Sequence, residues 1–440
     1  MKGPGIKIKS PGPISREYIE RWKRVNPKPQ NRSTFTEGDG IYLRDIDGNR
    51  YMNFSYLSVS LGHRNPRVVA AVKEQLEKTG ISRIRGPSIP RVTVMEKIME
   101  VVPPGLSDGK FEFCNTGSDA VEFSMELVRA YTGKQGLVSF LGGHYGYSIG
   151  ALSLIADRSE NRRYTQPFLP GVVHLPYPYC YRCPFSQSYP DCGLACIEYI
   201  QYVFDTVAHP EEVAAMFFEP IQQVAGIISP PKEYTPRLSK LCKENGILLV
   251  DDEVACGFGR TGKMFGIMHW DVDPDIMLLG KAIANGISMA GIVARKEIME
   301  KESKFPVVRG GTFIGNPIPC VAANATINEI VDRRLTENSA KIGEYLKNRL
   351  TELAEDIQII GEVRGKGLLI GIELVNDKDK KSPAAKEAIL VVEEAMKRGL
   401  LIGAIGTYGQ TLRITPPLIL SEEEADASVE ILRDSLREAT

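Results

Sequence analysis

The 440-residue sequence predicts an α/β fold: a large domain on a mixed, mostly parallel sheet with helices on both faces, plus a smaller α/β domain. Three observations carry this expectation. Strand-like runs recur at Lys110–Cys114, Gly136–Phe140, Ala214–Phe218, Ile247–Val250 and Ile276–Leu279, and the last two are wholly apolar, as in strands covered on both faces. Stretches with helical spacing surround them at Pro66–Thr79, Arg91–Val101, Asp119–Tyr131 and Pro319–Asp332. Glycines, acids and a lysine gather just after the strand-like runs, where open α/β sheets bind ligands. A chain of this length buries a large core and divides into two domains. The expected division is 1–60 as an N-terminal arm and part of the small domain, 61–325 as the large domain, and 326–440 as the C-terminal small domain.

Charge excludes several partners. Lysine plus arginine number 54 and aspartate plus glutamate 55, so no excess favours nucleic acid or an anionic membrane surface. No apolar run reaches membrane length, and the polar, Gly/Pro-rich start has no signal-peptide pattern. The expected location is cytoplasmic.

In chain order, residues 1–35 read as a proline-broken arm that packs on other parts or on a partner subunit. Gly40 to Phe54 alternates apolar and polar around Asp47-Gly48, a hairpin signal. After the Lys110–Cys114 strand, Asn115-Thr116-Gly117-Ser118-Asp119-Ala120 opens a helix. Small residues there bring backbone N–H groups and a hydroxyl to the helix N-terminus, an anion site; a plain cap by Thr116 or Ser118 satisfies the same residues. Gly136–Phe140 leads into Gly142-Gly143-His144-Tyr145-Gly146, in which a buried His–Tyr pair is the simplest reading.

Of eight cysteines, Cys180, Cys183, Cys192 and Cys196 cluster. A zinc loop, two disulfides and ordinary thiols are all compatible with their spacing. Cys114, Cys242, Cys256 and Cys320 sit in apolar contexts and read as core residues.

The stretch 246–286 carries the chemistry. Ile247–Val250 ends in Asp251, Asp252 and Glu253, and Ile276–Leu279 ends at Gly280-Lys281. Acids at strand ends also cap helices, and a lysine there is commonly a solvated charge. Together, an acid and a lysine at neighbouring strand ends suit pyridoxal phosphate, which needs a lysine for its Schiff base and a carboxylate for its ring nitrogen. Gly257-Phe258-Gly259-Arg260-Thr261-Gly262 fits the dinucleotide pattern, but acids separate it from the strand and no helical pattern follows.

Beyond this, Val307 to Phe313 carries Arg309-Gly310-Gly311-Thr312-Phe313 and feeds the Pro319–Asp332 helix, which continues to about Leu353. Gly365–Val375 is expected as one strand, followed by a helix to Arg398 with Ser382 as N-cap and Pro383 in its first position. Arg413 stands alone in a strand-like run before Pro416-Pro417. It is either an edge arginine or a fork of donors for a carboxylate.

These pieces resemble class III aminotransferases of the ω-amino acid/amine type, pyridoxal-phosphate enzymes of fold type I. Asp252-Glu253-Val254, Gly257 to Gly262, Pro274-Asp275-Ile276 and Gly280-Lys281 match the family signature, and the resemblance spans nearly the whole chain. It makes 61–325 the cofactor-binding domain. It implies that Lys281 forms the Schiff base, Asp252 pairs with the ring nitrogen, Val254 packs beneath the ring, and Gly117 and Ser118 hold the phosphate. Val121 replaces the family's usual asparagine in that segment. The aromatic–histidine pair is transposed, so His144 stands where the ring-stacking aromatic belongs and Tyr145 where the histidine does. Glu219, in Glu219-Pro220-Ile221-Gln222-Gln223, matches a supporter of the ring region. Val224 and Ala255 replace the glutamate and glutamine typical of ornithine- and 4-aminobutyrate-type members. Thr312 matches a threonine that binds the cofactor phosphate of the neighbouring subunit, which implies a homodimer with shared sites. Arg413 matches the substrate-carboxylate arginine, with Tyr56 and the turn Leu61-Gly62-His63 near the substrate.

The expected function is exchange of an amino group between an amino acid or amine and a keto acid or ketone. The same apparatus also runs racemisation or epimerisation, for which the His144–Tyr145 pair could supply a second base. The joint presence of Lys281, Asp252 and Arg413 speaks against a scaffold that has lost its chemistry.

Overall fold

The computed structural model describes residues 3–28, 33–79, 86–302 and 311–439. Its centre is a seven-stranded sheet in the order Lys110–Cys114, Ala290–Ala294, Ile276–Leu279, Leu248–Asp252, Val213–Phe218, Gly136–Phe140, Val172–Leu175. The strands run parallel except Ala290–Ala294, which is antiparallel to both neighbours. Every residue of Val213–Phe218, Ile276–Leu279 and Ala290–Ala294 is buried, as strands covered on both faces require. Two of the seven, Val172–Leu175 and Ala290–Ala294, go beyond the runs expected from sequence.

Residues from both ends of the chain share a second sheet. Phe35–Asp39, Tyr42–Asp45 and Arg50–Asn53 form the expected hairpin with one further strand, and Leu400–Leu401 joins it parallel, Met52 opposite Leu400. A third sheet orders Ile360–Lys366, Leu369–Asp377, Thr411–Ile414 and Gly403–Ile405 antiparallel. It meets the large sheet's loops closely: Leu368 N–H donates to the Arg260 carbonyl at 3.0 Å. Gly367, at φ +53°, lies so near Thr261 that a Cβ would fall 2.4 Å from the Thr261 carbonyl carbon. Only glycine tolerates both the backbone and the approach.

Three local expectations change. Gly365–Val375 is not one strand; the chain reverses after Lys366, which pairs with Leu369, because Gly365 and Gly367 take positive φ. Ser382 and Pro383 do not open a helix; they pair with Asp377 and Val375, and the helix is Ala385–Lys397. Proline, lacking an N–H, is tolerated on such an edge. The N-terminal arm contains a helix, Pro13–Val25, capped from afar: Asp47 accepts from the N–H groups of Ile14 and Ser15 at 2.8 and 2.9 Å. The stretch Val307–Phe313 lies largely outside the described residues, Arg309 and Gly310 included.

Candidate active site

The site begins with strand alternation. Successive residues of a strand face opposite sides, so Asp251 and Glu253 share one side and Asp252 the other. Asp251 and Glu253 are wholly buried, and Glu253 accepts from the Ile267 N–H at 2.7 Å. Burial pushes both carboxyls up; Glu253 raises Asp251 further, whereas the Ile267 and Gly266 N–H groups and Asp251 partly offset the rise at Glu253, as when one of two acids holds a shared proton. Asp252 turns towards Lys281. Its register partner is Leu278, which places the acid beside the strand that ends just before Gly280-Lys281. Burial raises the Asp252 carboxyl to about 6, partly offset by the Val254 N–H at 3.0 Å and by the charges of Lys281 and His144.

Lys281 keeps an exposed surface, yet protein atoms crowd around its ammonium. That desolvation pulls its ammonium down, Arg413 adds to the effect, and Asp252 and Glu219 oppose it. Lys281 also takes φ +41°, a left-handed backbone rare outside glycine and found where a site holds a side chain against strain.

Thr116, not Ser118, caps the Gly117–Thr132 helix. Its Oγ1 accepts from Asp119 N–H while Asp119 accepts from the Thr116 N–H, a capping box. The N–H groups of Gly117 and Ser118 are therefore left pointing out of the helix N-terminus, an anion-binding arrangement. The Ser118 hydroxyl accepts from Tyr147 N–H at 3.2 Å. Val121 is buried in the helix's core face. A Cβ added at either Gly117 or Gly280 would meet Val254 at 3.3 Å, so Val254 is clasped between the helix start and the lysine turn.

His144 and Tyr145 do not pair with each other. The Tyr145 ring is buried and its hydroxyl donates to the Phe217 carbonyl at 2.9 Å. His144 donates its backbone N–H to Glu219 at 2.9 Å, and its Nδ1 donates to Asp157 Oδ2 at 2.8 Å. Asp157 in turn accepts from Asn161 at 3.0 Å and Arg158 N–H at 2.6 Å. Burial works against its charge, but these bonds hold its carboxyl below the ordinary value. Glu219 is buried, and burial followed by Asp252 pushes it up. Asp157 is absent from the expected site, for no local motif marks an acid in Ala156-Asp157-Arg158. Tyr177 is absent too; its hydroxyl holds the Glu219 carbonyl at 2.9 Å.

Arg413 reaches the same region. It acts on the charge of Lys281 and donates Nη2 to the Ser55 carbonyl at 2.8 Å, next to Tyr56. Tyr56 is partly exposed and stands edge-on to His63 with ring centres 6.5 Å apart. Thr312 is exposed on the turn entering the Pro317–Asp332 helix, beside Gly311, whose Cβ position would lie 3.1 Å from Asn115.

The pattern of the family described as Aminotransferase class-III matches residues 25–436. The chain belongs to the class III aminotransferase family. A leucine/methionine racemase from Thermococcus litoralis is 38% identical over 96% of this chain and 95% of its own length. An alanine/serine racemase from Pyrococcus horikoshii is 36% identical over 100% of this chain and 94% of its own. Among solved structures, a PLP-bound amine transaminase from an uncultivated Pseudomonas species aligns with TM-score 0.87 at 31% identity, covering 93% of this chain and 95% of that one. The fold is that of fold type I transaminases, and the protein is a pyridoxal-phosphate-dependent class III aminotransferase working on an amino donor and a keto acceptor. The donor set suits that cofactor: an outward-facing helix N-terminus for a phosphate, a buried carboxylate for a ring nitrogen, and a lysine whose ammonium is pulled down. Among the described residues no helix is long and apolar enough to cross a membrane.

Proposed function

We propose that this class III aminotransferase takes carboxylate-bearing amino donors and keto acids, with Lys281 and Asp252 as its chemical centre. The observation that carries the reading is the strand register that sets Asp252 against Leu278 and so brings Lys281 to the same sheet edge. Pyridoxal phosphate, when bound, supplies the electron sink for the reacting carbon. Asp252 would keep the ring nitrogen protonated, and that cation would draw the Asp252 carboxyl back down. Lys281 Nζ would bind the cofactor's carbonyl carbon and move the proton at the substrate α-carbon. Gly117 and Ser118 would donate to the phosphate. Val254 and His144 would face the ring, with Glu219 and Tyr145 behind them. Arg413, beside Tyr56, would take the substrate carboxylate with its planar fork.

Thr312 would reach the cofactor phosphate of a neighbouring subunit, so the working unit would be a homodimer with shared sites, acting in the cytoplasm. The chain would divide at 60 and 325, and the pairing of Leu400–Leu401 with Met52–Asn53 supports one small domain built from both end segments.

A second reading, amino-acid racemisation, draws on the oriented His144–Asp157 pair and on the two racemases that resemble the chain. A screen of amino donors against keto acids with chiral analysis of the products tests both. Amino transfer with retained handedness supports the first. Inversion of a single amino acid without any acceptor supports the second and overturns the first.

A further inference from the structure

Gly406 is buried where the C-terminal sheet meets the loops of the large one. It opens the turn between the strands Gly403–Ile405 and Thr411–Ile414. Its N–H donates to the Val224 carbonyl at 2.9 Å, just beyond the stretch Glu219 to Gln223. Its carbonyl accepts from the Gly409 N–H at 2.9 Å, which closes the turn. The same oxygen also accepts from Nε and Nη2 of Arg158, at 3.0 and 2.6 Å. A guanidinium can set two donors on one oxygen, and its charge strengthens both bonds.

This contact links two parts of the site. On one side, the Arg158 backbone N–H donates to Asp157, the acid that holds His144. That segment is fastened to the turn before His144: Gly142 N–H donates to the Ala156 carbonyl at 2.8 Å, and Ala156 N–H to the Gly143 carbonyl at 3.0 Å. On the other side, the strand that ends at Gly406 begins at Gly403, whose register partner is Arg413. The Arg413 guanidinium lies across Gly403: a Cβ there would stand 3.5 Å from Nη2 and 3.9 Å from Cζ. Gly403–Ile405 is the last strand of its sheet and is only three residues long. So short an edge strand takes its position from whatever holds its ends. The step from Gly403 to Gly406 is about 10 Å, so a shift at Gly406 reaches the backbone beneath Arg413.

We propose that Arg158 is a positioning residue for substrate selection: by gripping Gly406 it fixes the Gly403–Ile405 strand, and with it the Arg413 guanidinium, relative to the His144–Asp157 pair. The inference rests on the reading of Arg413 as the partner of the substrate carboxylate. Arg158 acts through Gly406, Gly403 and Arg413. A fork held still meets both oxygens of a carboxylate at once, whereas a fork on a loosened strand loses that geometry. A substrate without a carboxylate makes no use of the fork. The grip therefore favours amino acids over amines and leaves the chemistry at Lys281 alone.

The test compares full-length wild type, Arg158→Met, Arg158→Lys and Arg413→Ala as holoenzymes. The probes are the preferred amino acid of the donor screen and its decarboxylated amine, leucine and 3-methylbutylamine in the first instance. Methionine keeps much of the stem and donates nothing. Arg158→Met should raise KM for the amino acid roughly fivefold to tenfold, with its kcat and the KM for the amine within about twofold of wild type. Arg158→Lys should recover part of the loss, since it keeps one charged donor group but not the fork. Hydrogen exchange should quicken in the peptide spanning Gly403 to Gln410 and stay as in wild type in the Gly117–Thr132 helix. Equal rises in KM on both probes, unchanged exchange at Gly403 to Gln410, or faster exchange throughout the protein would each overturn the proposal. Where Arg158→Met does not fold, Arg158→Lys carries the same comparison at smaller size. If Arg413→Ala itself fails to separate the two probes, the carboxylate reading falls and the inference with it; if only the Arg158 variants fail to separate them, the inference falls alone.

Discussion

Asp157 holds the His144 imidazole through Nδ1 at 2.8 Å, and Asn161 and the Arg158 N–H hold Asp157. On the proposed reading, the ring-facing position is filled by a polar ring whose orientation is set by a buried acid. Asp157→Asn removes the charged partner of that bond, worth about 1.5 kcal/mol. Cofactor affinity should fall roughly tenfold. His144→Phe restores an aromatic and should keep affinity within about twofold. Spectrophotometric titration of cofactor into the stripped protein reads both. Equal losses in the two variants would show that the imidazole itself, rather than a flat ring, makes the contact.

Lys281 sits at φ +41°. Lys281→Ala should abolish turnover and leave the fold intact. Lys281→Gly should be equally inactive yet more stable than the alanine variant by about 1 kcal/mol, because glycine carries no Cβ into the left-handed region. Urea unfolding of the two cofactor-free variants compares them. If the alanine variant is the more stable, the strain is not there.

Asp252 makes stability depend on pH. Burial raises its carboxyl to about 6 from an ordinary 3.8, so the cofactor-free folded protein binds that proton more tightly than the unfolded chain. The resulting penalty is absent below about pH 4 and grows as pH rises to about 6, reaching about 3 kcal/mol at most. Asp252→Asn should therefore melt higher than wild type at pH 7.5 without cofactor, with the gap closing near pH 4. With cofactor the variant should bind but turn over several orders of magnitude more slowly, a neutral ring being a poor electron sink. Melting curves across pH 4–8 and single-turnover rates check the two halves independently.

On the proposed role, Arg413 should separate substrate classes. A charged hydrogen-bonded pair with a carboxylate is worth about 1.5–3 kcal/mol, so Arg413→Ala should raise KM for amino and keto acids by roughly tenfold to a hundredfold. An amine donor without a carboxylate should be little affected, and Arg413→Lys should rescue only in part. Paired kinetics on one amino acid and its decarboxylated amine read the difference. Equal losses on both would make Arg413 a structural residue holding Ser55.

The strand ends that present Asp252 and Lys281, a cap at Thr116 or Ser118 and the Asp47-Gly48 hairpin are all legible in sequence, because each is written in a local period or a turn pair; the structure chose Thr116 for the cap. The sequence alone also marked the cysteine cluster and the lone arginine. Only the tertiary structure decided which partners these residues meet. Asp157 finds His144 from beyond the short helix Ile149–Leu154, Asp47 caps a helix that begins at Pro13, and Gly367 presses on Thr261. None of these contacts has a period to read, since each side chain is chosen by what packing brings beside it. The lysine's left-handed backbone is of the same kind: neighbouring elements hold Lys281 where its own residue type would not go.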